Sequence, residues 1–115
     1  MFILLLEDDK DIKDLITEVL TFSGARILST CSCEDATRLL VEQKPDLLLA
    51  DLKIGTKICI EVLHKANELG IRTILMSAFP KAETLIEDAH IEAFISKPFD
   101  LFNLERLILK NKVDF

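Results

Sequence analysis

At 115 residues the chain is long enough for one hydrophobic core and too short for two, so positions 1–115 read as a single domain. Half of the residues are apolar, yet the longest apolar runs, Phe2 to Leu6 and Leu47 to Ala50, are far too short to span a bilayer, and no export signal opens the chain. Twenty acidic against fourteen basic residues give a net charge of −6, the wrong sign for gripping a nucleic-acid backbone and a suitable one for a divalent cation. A cytoplasmic protein without membrane attachment is the expectation.

The first element is Phe2-Ile3-Leu4-Leu5-Leu6, a continuous apolar run of the kind found in strands covered on both faces. It ends in Glu7-Asp8-Asp9. An acidic first helical turn would account for Asp9 and Asp11 but poorly for Glu7 and Asp8, which fall at the strand edge. Ile12, Leu15, Ile16, Val19, Leu20 and Phe22 recur at helical spacing over Lys10 to Phe22, with Gly24 as a left-handed cap. Arg26 to Thr30 reads as a short strand. A helix beginning at Ser32 or Cys33 carries Ala36, Leu39 and Leu40, and Lys44-Pro45 ends it.

Leu47 to Ala50 is a second continuous apolar run and stops at Asp51. Residues 52–57 read as a polar loop, Ile58 to Leu69 as a helix stopped by Gly70, and Arg72 to Ser77 as a strand ending on a hydroxyl. A modest helix is predicted over 81–89, a short strand over Ala93 to Ser96, and a final helix capped by Asp100 with Leu101, Leu104, Leu107 and Ile108. Strands alternating with helices predict an α/β fold: a doubly wound, five-stranded parallel sheet with right-handed crossovers. Cys31, Cys33 and Cys59 form an odd set without metal-ligand spacing, so three reduced thiols are expected.

In such sheets ligands collect beyond the carboxyl ends of the strands. Glu7-Asp8, Asp51, Ser77 and Lys97 all fall there. Asp8 and Asp51 could hold a magnesium ion, with a backbone carbonyl from the loop after Asp51. Ser77 could donate to a phosphoryl oxygen and Lys97 could offset its charge. The set therefore reads as a site for phosphorylating Asp51.

The stretches ILLLEDD, PDLLLADLK, ILMSA and AFISKPF together resemble the receiver domain of two-component response regulators, over nearly the whole chain. The resemblance implies the flavodoxin-like strand order 2-1-3-4-5. It implies Asp51 as phosphoacceptor, Glu7 and Asp8 as the metal-binding acids, Asp9 as a further acid acting through water, and Lys53 as donor of a carbonyl to the metal. Ser77 and Lys97 become the hydroxyl and the lysine, with a cis bond before Pro98. Phe94 becomes the aromatic switch, and Lys53 and Phe79 modulators of dephosphorylation. Departures lie in the loop after Asp51, where Ile54-Gly55 replaces a Met-Pro pair and Cys59 stands where a glycine is expected, and at His90-Ile91.

The function implied is a signalling switch with magnesium as cofactor. It would accept phosphate from a histidine kinase or histidine phosphotransfer protein and be read by a downstream protein or output domain. The reading face would be the helix at 81–89, the strand at 93–96 and the final helix, with Phe102 either on that face or in the core. It is not an enzyme beyond self-catalysed phosphotransfer and autodephosphorylation. A stand-alone receiver and a piece of a longer regulator both stay open, as does a homodimer. The alternative is a pseudo-receiver that keeps the fold as a binding module and is not phosphorylated. A haloacid-dehalogenase-type phosphatase is disfavoured by Lys53, where a second carboxylate is needed, and a flavodoxin by the acidic loop after the first strand.

Overall fold

A computed structural model describes residues 1–78, 91–97 and 100–109. In chain order they form β1 (Phe2–Leu6), α1 (Lys10–Phe22), β2 (Arg26–Thr30), α2 (Cys33–Gln43), β3 (Leu47–Asp51), β4 (Lys53–Ile54), β5 (Lys57–Ile58), α3 (Ile60–Glu68), β6 (Arg72–Ser77), β7 (Ala93–Ser96) and α4 (Leu101–Leu109). The readings that concern Phe79, the helix at 81–89, His90 and the peptide bond before Pro98 lie outside the described residues.

Five strands pair in parallel in the order β2-β1-β3-β6-β7, which is the expected order once the β4–β5 hairpin is set aside. The uninterrupted apolar runs are explained by the pleat, which sends alternate side chains to opposite faces. Ile3, Leu5, Leu47, Leu49, Ile74 and Met76 enter one cluster with Ile16 and Leu20 of α1 and Leu104 and Ile108 of α4. Leu4, Leu6, Leu48, Ala50 and Leu75 enter the other, with Ala36 and Leu40 of α2 and Val62, Leu63 and Ala66 of α3. Both faces are therefore dry, and every polar group at a strand end is pressed toward the sheet edge.

Caps follow the sequence closely. Asp9 caps α1 by accepting from the backbone N–H groups of Asp11 and Ile12, and Ser32 caps α2 by accepting from that of Asp35. Asp100 accepts from the N–H of Phe102 at the head of α4. Gly24 has φ 96°, the left-handed conformation expected after α1.

Three expectations are corrected. Residues 52–57 are not an open loop. Lys53 pairs with Ile58 and Ile54 with Lys57, in an antiparallel hairpin turned by Gly55 at φ 61°, because glycine at the first central position suits a two-residue hairpin turn. Helix α3 accordingly begins at Ile60, and Ile58 belongs to the hairpin and is exposed. Finally, the three thiols are not all reduced. Cys33 and Cys59 are buried and joined in a disulfide, with Cα atoms 5.8 Å apart, and only Cys31 is a free cysteine among the described residues. Parallel topology explains the pairing, since α2 and α3 are neighbours on one face and both start at the same sheet edge.

Candidate functional site

The carboxyl ends of β1, β3, β6 and β7 converge as predicted. Glu7 follows β1 directly, and its N–H is held by the Thr30 carbonyl at 3.1 Å, which keeps the backbone extended and turns the carboxylate inward. Asp51 is the last residue of β3, in register with Met76, one short of Ser77. The Lys97 N–H donates to the Ser77 carbonyl at 2.8 Å, so β6 positions the lysine as it leaves β7.

Lys97 is the hub. Its Nζ lies 2.6 Å from Glu7 Oε1 and 2.8 Å from Asp51 Oδ2, with all three side chains largely or wholly buried. The other Glu7 oxygen accepts from the N–H of Asp8 at 3.1 Å, and Asp51 Oδ1 from that of Lys53 at 3.3 Å. Asp8 Oδ2 accepts from the Gly55 N–H at 2.8 Å, which ties the hairpin to the acid pair. Carboxylate oxygens of Glu7, Asp8 and Asp51 all lie within 4.8 Å of one another.

The electrostatics follow from crowding. Burial pushes the Glu7 carboxyl up from 4.5 to about 7; hydrogen bonding and charge from Asp51 add to this, and the Lys97 hydrogen bond opposes it. For Lys97, burial disfavours the ammonium, but Asp51 and Glu7 together outweigh it, and its pKa is raised. The lysine stays charged, while Glu7 stands near its midpoint at neutral pH.

Ser77 is buried at the end of β6. Phe94 is half-buried and packs against the cluster beneath α2 and α3. Phe102 is 76% exposed, so it is a surface residue of α4 and not a core one. Asp9 is exposed and caps α1, outside the carboxylate cluster. The Lys53 side chain is exposed at the head of the hairpin. Sequence reading missed the Gly55 N–H, because a backbone donor carries no signature beyond a glycine in a loop.

The family model of the response regulator receiver domain matches residues 3–109. The chain belongs to the response regulator receiver family. Sporulation initiation phosphotransferase F of Bacillus subtilis (strain 168) is 28% identical over 112 residues, covering 94% of this chain and 90% of that protein. The CheY-like receiver domain protein of Methanospirillum hungatei JF-1 superposes with a TM-score of 0.87 at 26% identity, covering 98% of this chain and 93% of the other. The receiver domain of sensor histidine kinase PA1611 from Pseudomonas aeruginosa PAO1 shares the fold at TM-score 0.83 and 22% identity, covering 95% and 94%; that structure has magnesium in its active-site cleft. The chain spans 24% to 51% of several longer regulators that it also matches. Within this receiver, the three clustered carboxylates are hard oxygen donors of the type magnesium prefers. No helix among the described residues is long and apolar enough to cross a membrane.

Proposed function

We propose that this receiver is a phosphorylation-dependent switch that takes a phosphoryl group onto Asp51 from a histidine kinase or a histidine phosphotransfer protein in the cytoplasm. The observation that carries the reading is the Lys97 ammonium seated between Asp51 and Glu7, beside Asp8. Three clustered acids that share one ammonium are short of positive charge, which suits a site that takes up a divalent cation together with a phosphoryl group.

The donor set fits magnesium, which Asp8, Asp51 and Glu7 would hold, with the Lys53 carbonyl as a further ligand. When bound, the ion supplies charge neutralisation for the phosphoryl oxygens. An Asp51 carboxylate oxygen attacks phosphorus, the new O–P bond forms as the N–P bond to the donor imidazole breaks, and the released imidazole takes up a proton. Lys97 offsets charge on the phosphoryl group, and the Ser77 hydroxyl donates to one of its oxygens, a charge-assisted bond worth about 1.5–3 kcal/mol. The chain does no other chemistry than this transfer and the later hydrolysis. Movement of Ser77 toward the phosphoryl group biases Phe94, and the change is read on the β7–α4 face by a partner or output domain, a population shift between two arrangements.

Intact mass spectrometry after incubation with acetyl phosphate and magnesium tests the reading, with Asp51→Asn alongside. Wild type should gain one phosphoryl group, and Asp51→Asn or added chelator should abolish the gain. Equal labelling of both proteins would refute the role of Asp51. Labelling of neither would favour a receiver fold used as a binding module.

A further inference from the structure

We propose that Cys33 and Cys59 form a thiol–disulfide couple that sets how firmly the loop after Asp51 is held against the acid cluster, and so how tightly this site binds a divalent cation. The disulfide stands on the coordinates alone, while its effect on the cation rests on the proposed function.

Residues 52–59 leave β3 at Asp51 and re-enter the fold at Cys59. Leu52, Ile54 and Cys59 are buried in the cluster beneath α2 and α3, whereas Lys53, Gly55, Thr56, Lys57 and Ile58 are exposed, so apolar packing anchors the first strand of the hairpin and leaves its turn and second strand to other ties. Cys59 donates its N–H to the Leu52 carbonyl at 2.9 Å, closing the base of the hairpin, and its sulfur is bonded to Cys33 in the first turn of α2. A second tie to the same turn is the ion pair between Lys57 and Glu34, both solvent-exposed. Surface pairs of that kind hold weakly and are screened by salt, so the covalent link is the firm one. The Gly55 N–H reaches Asp8 from this hairpin, and Lys53 reaches Asp51 from its first strand. Whatever fixes the hairpin therefore also fixes two of the three clustered carboxylates.

The couple is closed by ordinary exchange. A Cys33 or Cys59 thiolate attacks glutathione disulfide and forms a mixed disulfide, releasing one glutathione. The second cysteine displaces the other glutathione. The protein loses two electrons and two protons, one S–S bond breaks and one forms, and a dithiol reductant reverses the change. Both sulfurs are buried, so exchange passes through opening of the exposed hairpin. A disulfide in a reducing compartment is characteristically transient and regulatory.

The test equilibrates the full chain with glutathione disulfide or with dithiothreitol, denatures it, blocks thiols with N-ethylmaleimide and maps the peptides. One blocked thiol, on Cys31, is expected after oxidation and three after reduction. Three blocked thiols in both samples, or a linkage through Cys31, would overturn the couple. Magnesium alone is then titrated calorimetrically into both forms. Holding one loop residue in place in advance is worth about fivefold or more in affinity, so the oxidised form should bind about fivefold more tightly. Cys33→Ala/Cys59→Ala should bind like the reduced form and ignore the redox buffer, while Cys31→Ser should behave as wild type. Equal affinities in the two forms would overturn the coupling and leave the proposed function standing. Absence of magnesium binding in either form would overturn both.

Discussion

Replacing Lys97 by methionine keeps most of the side-chain volume and removes the charge, so it isolates what the ammonium does. That group bridges Glu7, whose side chain is fully buried, and Asp51, whose side chain is 11% exposed. Deleting one partner of a buried ion pair costs about 3–5 kcal/mol, because the charge left behind has neither water nor counter-ion. The cost should depend on pH, since a proton can neutralise Glu7. Its pKa already stands at about 7, raised by burial first and then by Asp51, against the restraint of Lys97. A folded-state value above the unfolded one means that the native state takes the proton first. The stabilisation from this group is complete below the ordinary value of 4.5 and is lost as pH rises through about 7. In wild type that loss is about 3 kcal/mol. Removing Lys97 raises Glu7 further and extends the loss to higher pH. Urea titrations of Lys97→Met should therefore show a penalty of about 1–2 kcal/mol at pH 6, where chiefly Asp51 is left unpaired. At pH 8 the penalty should reach about 3–5 kcal/mol, and Glu7→Gln in the same chain should recover part of it. A penalty under about 1 kcal/mol at pH 8, or one equal at both pH values, would show that water solvates the acids and would refute the reasoning.

Three further outcomes are expected. Reducing the Cys33–Cys59 link, which spans 26 positions, should cost about 3.5 kcal/mol on the chain-entropy scale and lower Tm by roughly 10–15 °C, as scanning calorimetry with and without dithiothreitol would show. Leu48→Ala, at a fully buried position in the central strand β3, should cost about 2–5 kcal/mol in urea without changing the denaturant slope. Gly55→Ala meets no atom within 4 Å but must hold φ 61°. A loss of about 1 kcal/mol is expected from the backbone alone, together with weaker magnesium binding by calorimetry, while Gly55→Asn should lose less.

The parts of this receiver that were legible in its sequence are those in which one physical demand acts alone. Strands β1 and β3 could be read because burial on both faces leaves no room for a polar residue between Ile3 and Leu6 or between Leu47 and Ala50. The site was legible because Glu7, Asp51 and Ser77, buried polar residues, stand where each apolar run stops. Where two demands select the same residue type, the sequence is silent. A helix cap and a metal ligand both call for a carboxylate, and only the structure separates Asp9, which caps α1, from Asp8, which joins the cluster. Two-residue strands such as β4 and β5 carry no period, so the hairpin read as a loop. Cys33 and Cys59 match no spacing rule, and only the packing of α2 against α3 brings them together.

The charges at the sheet edge are balanced in a way that a purely structural ion pair would not need. Three carboxylates against one ammonium leave two negative charges when Glu7 is ionised. A divalent cation would cancel them, and without one a proton on Glu7, whose carboxyl burial has pushed up to about 7, cancels half. Phosphorylation of Asp51 would replace one negative charge by about two and put the site out of balance again. The groups that share this sheet edge are Lys97, already on Asp51, and Ser77, one residue beyond its register partner. Any move of Lys97 toward the phosphoryl group loosens its hold on Glu7, whose backbone is tied to Thr30 in β2. Any move of Ser77 pulls on the Lys97 N–H that its carbonyl accepts. Charge added at one strand end would therefore be felt at the ends of β1, β6 and β7 together, and this shared edge is the route by which the proposed transfer would bias the β7–α4 face.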